Sequence, residues 1–214
     1  MAFDVMLRQL AEGMLGSVLI FALTLIFSLP LGLLVALGRM SKNKILSGFI
    51  GLLISVLRGT PLMLQLLVVY FFPYYLFGWS ISGWRFPAII VGFSINYAAY
   101  FAEIYRSGIE AVPKGQWEAA QILGYSKSQT FMRIILPQVI KIILPAITNE
   151  IITLVKDTSL AFSLSYMEMF TIAKQIAASN TTFTPFVVSA VFYYVFNLLV
   201  AFVMRHFEKK LSYY

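Results

Sequence analysis

Four long stretches of this chain contain no charged side chain: Gly13 to Gly38, Gly59 to Trp84, Phe86 to Ala102 and Gln175 to Met204. As a helix rising about 1.5 Å per residue, the first would run roughly 39 Å, enough to cross the roughly 30 Å of a bilayer's hydrocarbon. The pattern predicts membrane spans near 12–38, 48–77, 86–106 and 185–205. A fifth stretch, Ile140 to Leu164, carries Lys141, Glu150, Lys156 and Asp157, so hydropathy alone scores it poorly.

The placement of basic residues decides in favour of the fifth span, at 138–164. Segments 39–44, 106–141 and 205–210 hold three, five and three Lys or Arg, whereas the connections on the other side hold only Arg8, Arg85 and Lys174. Arg58 and Lys156 fall inside apolar stretches. Basic residues accumulate in cytoplasmic loops, and only an odd number of crossings puts all three basic segments on one side. The expected fold is an all-α integral membrane protein of about five transmembrane helices, forming one domain over 1–214 in the cell (inner or cytoplasmic) membrane. The N-terminus is expected outside and the C-terminus in the cytoplasm.

Composition sharpens the picture. Of 214 residues, 60% are hydrophobic and 12% charged, against about 25% charged in a typical soluble domain. The net charge of +7 is accounted for by topology and attraction to anionic lipid, and no basic, aromatic-interleaved groove points to nucleic acid. There is no cysteine, hence no disulfide framework or thiolate chemistry. The single histidine, His206, lies among Arg205, Glu208, Lys209 and Lys210 and reads as solvated. No catalytic residue and no metal ligand is expected. The mixed start MAFDVMLRQLAEG lacks the basic region and short apolar core of a cleavable signal, so the first span is expected to remain.

The longest polar connection is the cytoplasmic segment 107–137, and its residues predict a helix pair. Gln116 to Leu123 suits a short helix, with Gly124 in the left-handed position that ends it. Ser126 and Gln129 have capping-box spacing for a second helix, which Pro137 is expected to close. Phe131, Ile134 and Ile135 share one face of that second helix.

Glu118-Ala119-Ala120, followed by Gly124 and then Ile134, Leu136 and Pro137, resembles the EAA signature of ABC-importer permeases. Arg58-Gly59-Thr60-Pro61-Leu62 with Gln65, Ala102-Glu103-Ile104-Tyr105-Arg106 with Gly108, and Lys156-Asp157-Thr158-Ser159-Leu160 resemble the polar amino-acid branch of these permeases. Ser107 stands where glycine is common. The resemblance implies a coupling helix that docks on a nucleotide-binding subunit, and the residues suit that role: small Ala119 and Ala120 permit close contact, Trp117 offers an apolar anchor, Glu118 supplies a charge for register, and Gly124 makes the turn. It also implies two ATP-binding subunits carrying ATP and Mg, a second permease subunit, identical or closely related, and an extracytoplasmic amino-acid-binding protein. The sequence has no G-x-x-x-x-G-K-[ST] phosphate loop, so hydrolysis is expected on the partner chain.

Candidate pathway residues are the polar ones placed inside apolar stretches. Thr60 and Pro61 have N-cap and first-turn chemistry for a helix starting within the bilayer, whose amide end would favour a carboxylate; an ordinary Pro kink is the alternative. Glu150 sits mid-span, where a charge is costly unless paired or wet, with Thr153 and Asp157 on the same face. Asn96 and Tyr100 recur at helical spacing on the third span, and Glu103 is expected to pair with Arg106. An internal pairing of Glu150, or an Asp157–Lys156 network, would explain the charges without substrate. The expected cargo is a cationic or polar L-amino acid (arginine, lysine or histidine), with glutamine as the neutral alternative; an ion-coupled transporter or channel is the competing class.

Overall fold

The computed structural model describes residues 2–211, in which the regular structure is helical throughout. Helix α1 (Phe3–Arg39) starts well before the predicted span: Met6 and Leu10 of its first turns are buried against Met169, Ala173 and Ile176, and Arg8 and Glu12 pair at 3.2 Å across one turn of its exposed face. Its buried stripe is Leu10, Gly13, Ser17, Ile20, Thr24, Ser28, Gly32 and Ala36. Residues this small let backbones approach, which is how helices associate in lipid, where apolar surface has no water to escape. A Cβ on Gly32 would stand 2.8 Å from Phe101 Cβ, and one on Gly13 would stand 2.8 Å from Met169 Cα. α1 therefore lies along two neighbours, α4 (Arg85–Glu110) for most of its length and α8 (Met169–Asn180) near its start.

Between α1 and α4 run α2 (Lys44–Gly59) and α3 (Leu62–Phe77). Asn43 caps α2 by accepting from the Ile45 and Leu46 amides. Gly78, at φ +64°, ends α3 in the left-handed conformation that glycine adopts without a Cβ penalty. The single span expected over 48–77 is thus two helices meeting at an axis angle of 113°.

Past α4 come α5 (Lys114–Ile122), α6 (Lys127–Thr130), a π-helical turn (Phe131–Ile135), α7 (Leu136–Asp157) and a 3-10 stretch (Thr158–Leu164). The expectation that Pro137 closes the second cytoplasmic helix is corrected: the helix runs through it into α7. The π turn just before Pro137 is the reason, since its wider i→i+5 spacing relieves the ring's clash with the preceding turn. After α8, Thr181 takes the left-handed conformation and α9 (Thr184–Leu211) begins. The charge-free stretch Gln175–Met204 therefore holds the end of one helix and most of another.

Four continuous helical runs are long and apolar enough to cross a membrane: Phe3–Arg39, Arg85–Glu110, Lys127–Leu164 and Thr184–Leu211. The bent pair α2 and α3 makes a fifth if counted as one broken span. The central core packs Ile20, Leu66, Ile89, Phe93, Tyr97, Phe101, Ile151 and Leu154 around α4.

Glu168 ties the bundle together at the start of α8. It is fully buried and caps α8, accepting from the Phe170 and Thr171 amides at 2.7 Å each and from Thr171 Oγ1 at 2.8 Å. Ser17 Oγ of α1 and Tyr193 OH of α9 donate to the same carboxylate at 3.3 and 3.1 Å. One side chain thereby joins three helices, a role no sequence motif announces.

Candidate functional site

The break between α2 and α3 sits beside the middle of α4. Pro61 forces the residue before it out of helical geometry, and Thr60 is extended at φ −119°, ψ 149°. The expectation that Thr60 caps α3 is corrected: Pro61 occupies the N-cap, and no side chain caps that end. Thr60 instead closes α2, donating through Oγ1 to Val56 O at 2.8 Å.

A broken helix leaves carbonyls without partners, and in a membrane interior each is expensive. Gln65, one turn into α3, meets that cost. Its Nε2 donates to Leu57 O at 2.7 Å, to Thr60 O at 3.1 Å and to Thr60 Oγ1 at 2.9 Å. Asn96 of α4, which is buried, donates through Nδ2 to Gln65 Oε1 at 2.9 Å and to Leu57 O at 3.2 Å. Gln65 is the hub of this cluster, and sequence reading named it only as part of a motif. The available signal was that it is the one amide in the apolar stretch Gly59–Trp84.

One turn along α4, the Tyr100 ring lies under Arg58, whose guanidinium carbon is 5.1 Å from the ring centroid. Arg58 Nη1 is also 4.0 Å from Glu103 Oε2. Glu103 has a closer partner in Arg106, which donates from Nε at 3.1 Å and Nη2 at 2.6 Å, and Arg106 reaches Glu110 at 2.6 Å.

Glu150 is half-buried on α7. Among the described residues no ion pair includes it. Of the candidate residues, Thr60 and Asn96 thus meet at Gln65, and Tyr100 meets Arg58. Thr153 differs, because its hydroxyl turns back to Asn149 O of its own helix at 2.9 Å. Asp157 accepts from the buried Tyr97 hydroxyl at 2.7 Å, which gives that carboxylate a structural partner.

The second locus is the helix pair α5 and α6. Gly124 adopts φ +80°. Ser126 and Gln129 form the reciprocal capping box, with Ser126 N donating to Gln129 Oε1 at 2.9 Å and Gln129 N to Ser126 Oγ at 3.3 Å. The Gln116 and Gln138 amides exchange hydrogen bonds, fixing α5 to α7. Trp117, expected as an apolar anchor, is half-buried. Its ring stacks on Phe131 at 6.4 Å and packs with Val112, Ile135 and Val139, and Ala120 is buried beside it. Glu118 and Ala119 face outward, together with Ile122 and Leu123, which are 86% and 74% exposed. The helical period decides this: 117 and 120 share the inner face, and 118, 119 and 122 fall on the other.

Comparison with known proteins gives the family. Residues 28–213 match the family described as binding-protein-dependent transport system inner membrane component. A putative glutamine transport system permease protein of Rickettsia bellii is 39% identical over 203 residues, covering 94% of this chain and 92% of that protein. An L-cystine transport system permease protein of Bacillus subtilis is 36% identical over 208 residues, covering 96% and 87%. The crystal structure of an amino acid ABC transporter with histidines superposes with a TM-score of 0.87 at 32% identity, over 98% of this chain and 99% of that one. Family match, relatives and fold therefore agree that the chain belongs to the binding-protein-dependent transport system inner membrane components, as an ABC-importer permease.

Proposed function

We propose that this chain provides half of the transmembrane path of an ATP-driven amino-acid importer, and that its cargo is a cationic or polar L-amino acid. The observation that carries the substrate reading is Glu150: a half-buried carboxylate on a membrane helix, outside every ion pair among the described residues. A charge in that setting demands a counter-charge or water, and the ammonium or side-chain cation of arginine, lysine or histidine supplies one. Similarity to a transporter solved with histidines supports the same reading.

ATP and Mg belong, in this reading, to two partner ATPase subunits that bear on the outward face of α5, through Glu118, Ala119, Ile122 and Leu123. Trp117 and Ala120 position that face from within, and Gly124 forms the turn. A second permease subunit completes the pathway, and an extracytoplasmic binding protein delivers the substrate. The N-terminus lies outside and the C-terminus in the cytoplasm, a reading supported by the basic residues of segments 39–44, 106–141 and 205–210.

Uptake into vesicles reconstituted with the ATPase and binding protein tests the substrate reading. Glu150→Gln keeps shape and removes charge, so arginine, lysine and histidine uptake should fall by the equivalent of roughly 1.5–3 kcal/mol. Unchanged uptake of all three rules out the role. The second reading, a neutral substrate, is favoured by the 39% identity to a glutamine permease; it is the right one if glutamine alone is carried and Glu150→Gln leaves its uptake intact.

A further inference from the structure

We propose that Arg58 is the residue that receives the substrate's α-carboxylate at the break between α2 and α3. This rests on the amino-acid importer reading above and adds to it the group that reads the part common to every amino acid.

A guanidinium carries five N–H donors in a planar fork. Among the described residues Arg58 donates no hydrogen bond; its contacts are the Tyr100 ring face at 5.1 Å and the Glu103 carboxylate at 4.0 Å. That second distance is an ion pair without a hydrogen bond. Nor does Glu103 depend on it, since Arg106 already holds Glu103 through two bonds at 3.1 and 2.6 Å. Arg58 is therefore a cation held in place by an aromatic face, with its donors unspent and its side chain 43% exposed.

Its position fits a ligand. Arg58 is the last charged residue before the break, directly after Leu57, whose carbonyl the Gln65–Asn96 cluster holds. A carboxylate is the ligand group whose two oxygens engage the guanidinium fork in parallel, the geometry in which arginine binds most strongly. Thr60, by contrast, has its hydroxyl committed to Val56 O and Gln65 Nε2, so the carboxylate expected near Thr60 and Pro61 finds its partner in Arg58 instead.

The test is direct binding to the detergent-solubilised complex of permease and ATPase, with the binding protein left out so that its own recognition does not contribute. The probes are L-arginine and L-glutamine, each paired with its decarboxylated analogue, agmatine and 4-aminobutanamide. The wild-type complex should prefer the better-bound acid over its analogue by roughly ten- to hundredfold. Arg58→Gln should bring that ratio close to one, and Arg58→Lys, which keeps the charge but not the fork, should leave an intermediate ratio. A merely structural role would weaken both members of a pair alike and leave the ratio standing. An unchanged ratio in Arg58→Gln, equal binding of acid and analogue by the wild type, or no binding of any of the four probes overturns the assignment. Preference between arginine and glutamine tests the Glu150 reading separately, so either can fail alone.

Discussion

Asn96 Nδ2 of α4 donates to Gln65 Oε1 of α3 at 2.9 Å, and both side chains also donate to the same carbonyl, Leu57 O at the end of α2. Two amides thus replace the hydrogen bonds that the helix break removes, and the break becomes a fixed element of the fold. Gln65→Leu should leave Leu57 O with one side-chain donor instead of two and strip the buried Asn96 amide of its Gln65 acceptor, at about 1–3 kcal/mol for the buried group left unpaired. The expected result is a lowered thermal unfolding midpoint in detergent together with reduced uptake. An unshifted midpoint would mean that α2 and α3 hold their angle without this cluster.

Gly124 is the turn between α5 and α6. At φ +80° a side chain is strained, although open space surrounds a Cβ built there. The cost is in the backbone alone, about 1–2 kcal/mol for a residue with a Cβ in left-handed geometry and more for a β-branched one. Gly124→Val should rebuild the turn and lower transport per ATP hydrolysed, and Gly124→Asn should be mild. Vesicle uptake measured alongside phosphate release checks this; normal coupling in the valine variant would contradict it.

Glycines in helices should divide by what faces them. A Cβ on Gly13 meets Met169 Cα at 2.8 Å and Ile172 Cδ1 at 2.7 Å, whereas one on Gly48 meets nothing within 4 Å. Gly13→Val should push α1 off α8 and cost about 1–3 kcal/mol, as overpacking does. Gly48→Ala, on an exposed part of α2, should gain roughly 0.5–1 kcal/mol through helix propensity. Thermal midpoints of the two variants moving in opposite directions is the expected outcome.

Glu168 accepts from three groups on its own helix and from Ser17 and Tyr193 on two others. Glu168→Gln turns one acceptor oxygen into a donor and leaves at least one buried donor unmatched, an expected loss of about 1–3 kcal/mol. Tyr193→Phe removes one of the five donors to the carboxylate, together with the 3.5 Å contact to Ser17 Oγ, and should cost less, about 0.5–1.5 kcal/mol. A smaller loss for Glu168→Gln than for Tyr193→Phe would show that the carboxylate does not hold the three helices together.

What the sequence by itself determined follows from local chemistry. Uncharged stretches as long as Gly13–Gly38 leave a helix in lipid as the way to satisfy the backbone. Gly59-Thr60-Pro61 marked the break, Gly124 the left-handed turn, and Ser126 with Gln129 the cap, because each depends on the conformation of a few consecutive residues. What only the tertiary structure decided depends on which distant residues meet. Thr60 lost its capping role to Pro61, and Pro137 failed to end its helix because a π turn widened the backbone just before it. Trp117 turned inward onto Phe131, leaving Ile122 and Leu123 outside. Glu168 found Ser17 and Tyr193 across three helices, and Glu103 took Arg106 closely enough to leave the donors of Arg58 unspent. Pairings of that kind are set by how helices cross, and the period of a single helix says which face a residue occupies but not what that face will meet.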